Sequence, residues 1–136
     1  MNKNIIVALL FITLLSSCAT YHITTESLLE QFAGVSQQTK VNMLIVPPFI
    51  CFPGIVKGNS LRDITVLDKN GHEHNLPVTN HTSVKITRKD GKKTTFYFDT
   101  LLLKDSTITG NKTHFIKSNI KPIYFADITG IELQAH

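Results

Sequence analysis

Tryptophan is absent from this chain, cysteine occurs twice, and no apolar run is as long as a bilayer is thick. Each shortage excludes something. Two cysteines cannot build the disulfide framework of a small secreted scaffold. The longest apolar run, Ile5 to Leu15, is broken only by Thr13, and it falls well short of the roughly 20 residues that cross a hydrocarbon core. Charge is restrained too: 14 Lys+Arg stand against 10 Asp+Glu, a net +4. That balance excludes a histone-like polybasic protein and an acidic tail. Acids and histidines form no dense cluster, so nothing marks a catalytic centre. At 136 residues the chain has room for one domain.

What is present first is a leader. Lys3 supplies a positive start, Ile5 to Leu15 an apolar core, and Ser16 and Ser17 the small residues before a cleavage site. Residues 1–17 therefore read as a signal peptide. Leu15-Ser16-Ser17-Cys18 resembles the lipobox of bacterial lipoproteins. The resemblance implies that the Cys18 thiol is acylated, palmitate included, and becomes the first residue of the mature chain. The competing reading is an ordinary secreted protein whose Cys18 merely lies near the cleavage site. Acylation makes the chain anchored rather than spanning, because two or more acyl chains hold where one binds only marginally. Ala19 stands where Asp retains enterobacterial lipoproteins in the inner membrane, and no acidic surface-export run follows Cys18. The resemblance thus implies the outer membrane, with the protein facing the periplasm. Cys51 remains as a free thiol, expected to be buried as a small hydrophobe among Phe49, Ile50 and Phe52.

The mature chain divides into a tether at 18–24 and a single mostly-β domain at 25–136. Ser27-Leu28-Leu29-Glu30 has the spacing of a capping box, and Gly34 is a plausible stop, which predicts a short helix near 25–33. Met43 to Val56 is the most apolar stretch, and Pro47, Pro48 and Pro53 forbid a helix or a central strand through it. Two readings stay open: two short strands packed into the core, or an apolar loop at Phe49, Ile50 and Phe52 that meets a partner or a membrane.

From Leu61 onward the apolar period is two, the mark of strands. Ile64–Gly71 and Val84–Gly91 repeat one pattern, each ending in a dipeptide of tight hairpins, Asn70-Gly71 and Asp90-Gly91, with both positions expected at positive φ. Phe96 and Phe98 share one parity while Leu101 and Leu103 take the other, which predicts a bulge near Asp99-Thr100. Further strands are expected at 106–109, 113–116, 120–125 and 131–133, with Gly110-Asn111 as a turn and one helical turn at 126–130. The expected core is Ile64, Val66, Val84, Ile86, Phe96, Phe98, Ile123, Phe125, Ile128, Ile131 and Leu133.

Candidate chemistry is sparse. His72 and His74 could share a strand face, but zinc needs three or four ligands and spacing offers no third, so a solvated turn is the better account and no metal or cofactor is expected. Lys85, Arg88, Lys89, Lys92 and Lys93 read as a strand edge kept soluble by lysine. Nucleic-acid binding would want such charge interleaved with exposed aromatics, and an exported protein meets little RNA. Asp99-Thr100-Leu101 and Asp105-Ser106-Thr107 resemble the O-glycosylation signal of exported Bacteroidetes proteins, which implies Thr100 and Ser106 as acceptors.

The segment from Val84 to Leu133, closing on Ile123-Tyr124-Phe125-Ala126-Asp127-Ile128-Thr129-Gly130-Ile131, resembles the small SH3-like or Sm-like barrels. The whole chain resembles small lipoproteins of Bacteroidetes. Neither resemblance carries functional side chains. The fold expected is mainly β: an antiparallel meander curling into a small barrel or two-layer sheet, with one short N-terminal helix. The function expected is a lipid-anchored envelope module, non-catalytic, that binds an envelope protein or glycan and no nucleic acid. A structural membrane-surface lipoprotein and an enzyme whose site is invisible in sequence are the alternatives.

Overall fold

The computed structural model describes residues 19–48 and 50–135. The lipidation expected at Cys18 and the partner contact expected at Phe49 therefore lie outside the described residues. The elements are β1 (Thr20–His22), α1 (Thr25–Phe32), β2 (Gln37–Val46), β3 (Ile50–Asn59), β4 (Asp63–Leu67), β5 (Glu73–Pro77), β6 (Ser83–Arg88), β7 (Lys93–Tyr97), β8 (Leu102–Lys104), β9 (Thr107–Thr109), β10 (Ile123–Tyr124) and β11 (Ile128–Gln134). Two 3-10 turns, Phe98–Thr100 and Phe125–Asp127, join them.

The chain is mainly β with one helix, as expected. An antiparallel six-stranded sheet runs β5-β4-β1-β11-β6-β7, a three-stranded sheet runs β10-β9-β8, and β2 pairs with β3 alone. The sheets stay open rather than closing into a barrel, and a two-layer arrangement describes them. Period two explains the core face of the large sheet. Ile64, Val66, Val84, Ile86, Phe96, Ile131 and Leu133 are all buried while their strand neighbours are not. Leu28 of α1, Phe98, Leu101, Ile108 and Ile123 close over that face. Fully burying each such side chain stabilises by about 1.5–3 kcal/mol. Phe125 and Ile128 belong to the expected core but are only partly buried at its rim.

Several local expectations are corrected. The helix is capped by Thr24, whose hydroxyl accepts from Ser27 N at 3.1 Å, so Ser27 sits inside the first turn instead of preceding it. Both hairpins form, but only Gly71 and Gly91 have positive φ, at 82° and 78°. Each loop closes with a bond from the glycine N–H to the residue three before it, so a type I turn leads into a left-handed glycine. The parity switch at Asp99-Thr100 is a 3-10 turn, not a bulge: Thr100 Oγ1 donates to Tyr97 O at 2.7 Å. Asp105, at φ 53°, turns the β8–β9 hairpin, whereas Gly110-Asn111 opens a long loop in which the strand expected at 113–116 does not form.

The largest change concerns the tether. Thr20–His22 is not a linker but β1, an interior strand of the six-stranded sheet. Thr20 pairs with Gln134, Gln134 with Ser83, and Ser83 with Tyr97. That row crosses four of the six strands and begins at the first residue of β1.

Candidate functional site

The hairpin of β2 and β3 carries the most apolar sequence in the domain, yet most of it is uncovered. Alternation puts Val41, Met43, Ile45, Cys51, Pro53 and Ile55 on one face and Leu44, Val46, Ile50 and Phe52 on the other. The large apolar side chains of both faces, Val41, Met43 to Val46, Ile50, Phe52 and Ile55, are 39–63% exposed. Neither of the two earlier readings describes this fully: the strands are ten residues long, and they stand out from the core. Cys51 is likewise exposed rather than buried, because it points off the face shared with Ile45, its cross-strand partner.

The root of the hairpin is held firmly. Asp99, buried in the 3-10 turn, takes Lys40 Nζ on Oδ2 at 3.0 Å and His114 Nε2 on Oδ1 at 2.9 Å. His114 in turn stacks on Tyr97 with ring centroids 4.1 Å apart, and its carbonyl accepts from Asn42 Nδ2 at 3.0 Å. Two glycines permit the close approach. A Cβ on Gly58 would lie 2.2 Å from Asp99 O, and one on Gly54 would lie 2.5 Å from Phe115 Cα. Buried Asn59 completes the seat, donating through Nδ2 to Phe98 O and Leu101 O. The hairpin is therefore mounted beside Tyr97, on the edge strand of the row that begins at Thr20.

Apart from buried Asp99, which Lys40 and His114 engage, the segments that build its setting carry no acid. Residues 31–62 and 106–126 contain no Asp or Glu, while they contribute Lys40, Lys57, Lys112, Lys117 and Lys121. This acid-free pattern was legible in the sequence and is the signal that could have joined the hairpin to the loop beside it. Between hairpin root and loop lies a cleft of about 730 Å³, lined by Lys57 of β3 and Lys117 of the loop.

The remaining candidates resolve individually. Thr100 is fully buried and its hydroxyl is committed to backbone carbonyls, so the folded chain withholds that glycosylation site, while Ser106 stays exposed in a turn. Lys85 pairs with Glu132 across β6 and β11, Arg88 and Lys92 flank Asp90, and Lys93 lies on the edge strand β7. His72 and His74 both face Asp68. Among the described residues no three His, Cys, Asp or Glu side chains gather as a metal site would require.

Asp68 organises the first hairpin turn. Its carboxyl is held well below the usual carboxylate range, first by the hydrogen bond from His74 and next by the backbone N–H of His72. A folded pKa below the unfolded one contributes stability above about pH 4 and loses it as pH falls further. Carbon-detected NMR titration should place the Asp68 midpoint below the ordinary value of about 3.9. A midpoint at that ordinary value would show that the turn does not hold the carboxylate.

No protein-family model, curated protein or solved structure matches this chain.

Proposed function

We propose that this chain is a lipid-anchored cell-envelope protein, held by acylated Cys18 in the outer membrane and facing the periplasm, that acts without chemistry of its own. Its working element is the β2–β3 hairpin, which rests in the membrane surface. The observation that carries this reading is a hairpin that exposes large apolar side chains on both faces. A flat partner surface would cover one face and leave the other wet, whereas a lipid interface covers both.

The dimensions agree. From Met43 to Val46 the strand advances about 10 Å, comparable to the 5–10 Å that interfacial elements embed. The two-stranded hairpin has outer backbone groups without strand partners among the described residues, and hydrocarbon leaves such groups unsatisfied at several kcal/mol each. Insertion therefore stops at the headgroup boundary. Lys57, Lys112, Lys117 and Lys121, none of them ion-paired among the described residues, suit an anionic surface, each adding about 1 kcal/mol near it.

Binding to an envelope protein or glycan, the reading expected first from sequence, is what the test must separate. A photo-crosslinking amino acid at Phe52, introduced in intact cells, should yield lipid adducts. One reproducible protein adduct in their place would make the chain an accessory subunit. Cys18→Ser should abolish acylation, leaving weakened membrane association that Ile45→Asp with Phe52→Asp then reduces at least tenfold, since each side chain forfeits about 1.5–3 kcal/mol of burial.

A further inference from the structure

We infer that the cleft between the hairpin root and the 109–122 loop is a binding site for a phosphorylated polyol, the chemistry of an anionic headgroup. The inference deepens the membrane-surface reading and rests on it for the source of the ligand. Its volume, about 730 Å³, lies within the 300–1,000 Å³ range of small-molecule sites.

The lining has three components that suit one ligand class. Lys57 from β3 and Lys117 from the loop bring two cations to the lining, no carboxylate lines the cleft, and neither lysine has an ion-pair partner among the described residues. Thr39, Ser118 and Asn119 add hydroxyl and amide groups. Val56, Leu102 and Ile120 supply an apolar side against which a ring or glycerol backbone can pack.

Asn111 is the most informative residue of the lining. It is 7% exposed, and its backbone is fully engaged: N–H donates to Thr100 Oγ1 at 2.9 Å and C=O accepts from Tyr97 N at 3.0 Å. Its side-chain Oδ1 accepts from Ser118 N at 2.8 Å. The Nδ2 amide makes no hydrogen bond among the described residues, although the residue borders the cleft. That amide is open to the cleft and, with the two unpaired lysines, offers donors to an anionic ligand. Two lysines reach a phosphate as point charges.

The test uses the full acylated chain in detergent micelles, with backbone amide NMR as readout and glycerol 1-phosphate as probe. Saturable shifts are expected at Asn111, Ser118 and Asn119, absent with glycerol alone and weakened at least tenfold by Lys57→Glu with Lys117→Glu. Both lysines are exposed, so the fold tolerates the change. Nanodiscs of phosphatidylglycerol against phosphatidylcholine identify the source. Shifts with phosphatidylglycerol but not with the soluble probe assign a lipid headgroup, and shifts with both assign a phosphorylated polyol whatever its carrier. No shift with either probe, or shifts that survive the double substitution, would overturn the site. Lipid adducts at Phe52 do not depend on the cleft, so failure here is distinguishable from failure of the membrane reading.

Discussion

Phe98→Ala is expected to lower the free energy of unfolding by about 3–5 kcal/mol, the usual cost of emptying a buried phenylalanine site. Phe98 is fully buried and meets Phe32 of α1 edge-on, ring centroids 5.8 Å apart at 64°. Such pairs add about 0.5–1.5 kcal/mol beyond area burial. The residue also lies where three structural units join. Its N–H donates to Thr82 O at 2.9 Å, and its carbonyl accepts from Asn59 Nδ2 at 2.8 Å. The surrounding backbone is thus pinned and cannot collapse into the void. A small domain has only about 5–15 kcal/mol in total, so urea unfolding should shift to a much lower midpoint. Phe125→Ala, at the half-buried rim, provides the comparison and should cost clearly less. Equal losses at the two positions would mean that Phe98 is not the junction described.

Asp99→Ala should be nearly as damaging, but in a different place. The carboxylate is buried and serves Lys40 and His114 together, so its removal leaves two donors facing an apolar methyl. Breaking a buried charged arrangement from one side costs about 3–5 kcal/mol. The Lys40 side chain is 28% exposed and can partly recover water, so the lower end of that range is expected. The loss should appear first as faster hydrogen exchange in β2 and β3, with the six-stranded sheet less affected. Asp99→Asn keeps the shape and one acceptor and should fall between the two. Unchanged hairpin exchange in Asp99→Ala would show that the glycine contacts and Asn59 alone hold the root. A loosened hairpin should also weaken vesicle association although every apolar tip residue is intact, because its seat on the domain is no longer set.

How much of this was readable beforehand follows a physical line. The two hairpins of β4–β5 and β6–β7, the buried Ile64, Val66, Val84, Ile86 and Phe96, and the short helix were determined by the sequence itself. Alternation, glycine turns and a 3.6 period are local signals that act before any tertiary contact exists. Local signals also pointed to a helical turn near β11, but at 126–130; the turn forms at Phe125–Asp127, 128–130 belong to β11, and Phe125 and Ile128 are both only partly covered.

Other features were decided only by contacts between distant parts of the chain. A run such as Met43–Val56 is apolar on both faces, so period two cannot say which face, if either, is covered. That depended on where His114, Phe115 and Asp99 were brought, and they cover only the root. Cys51 followed the hairpin into solvent for the same reason. Thr100 looked like an exposed acceptor in a three-residue pattern, but the 3-10 turn folded its hydroxyl inward onto Tyr97. Thr20–His22 has too few residues to announce a strand, and it became one because β4 and β11 offered it two edges at once. The sequence by itself determined which segments pair with their neighbours. Tertiary structure alone decided what remains uncovered, because exposure depends on partners remote in the chain.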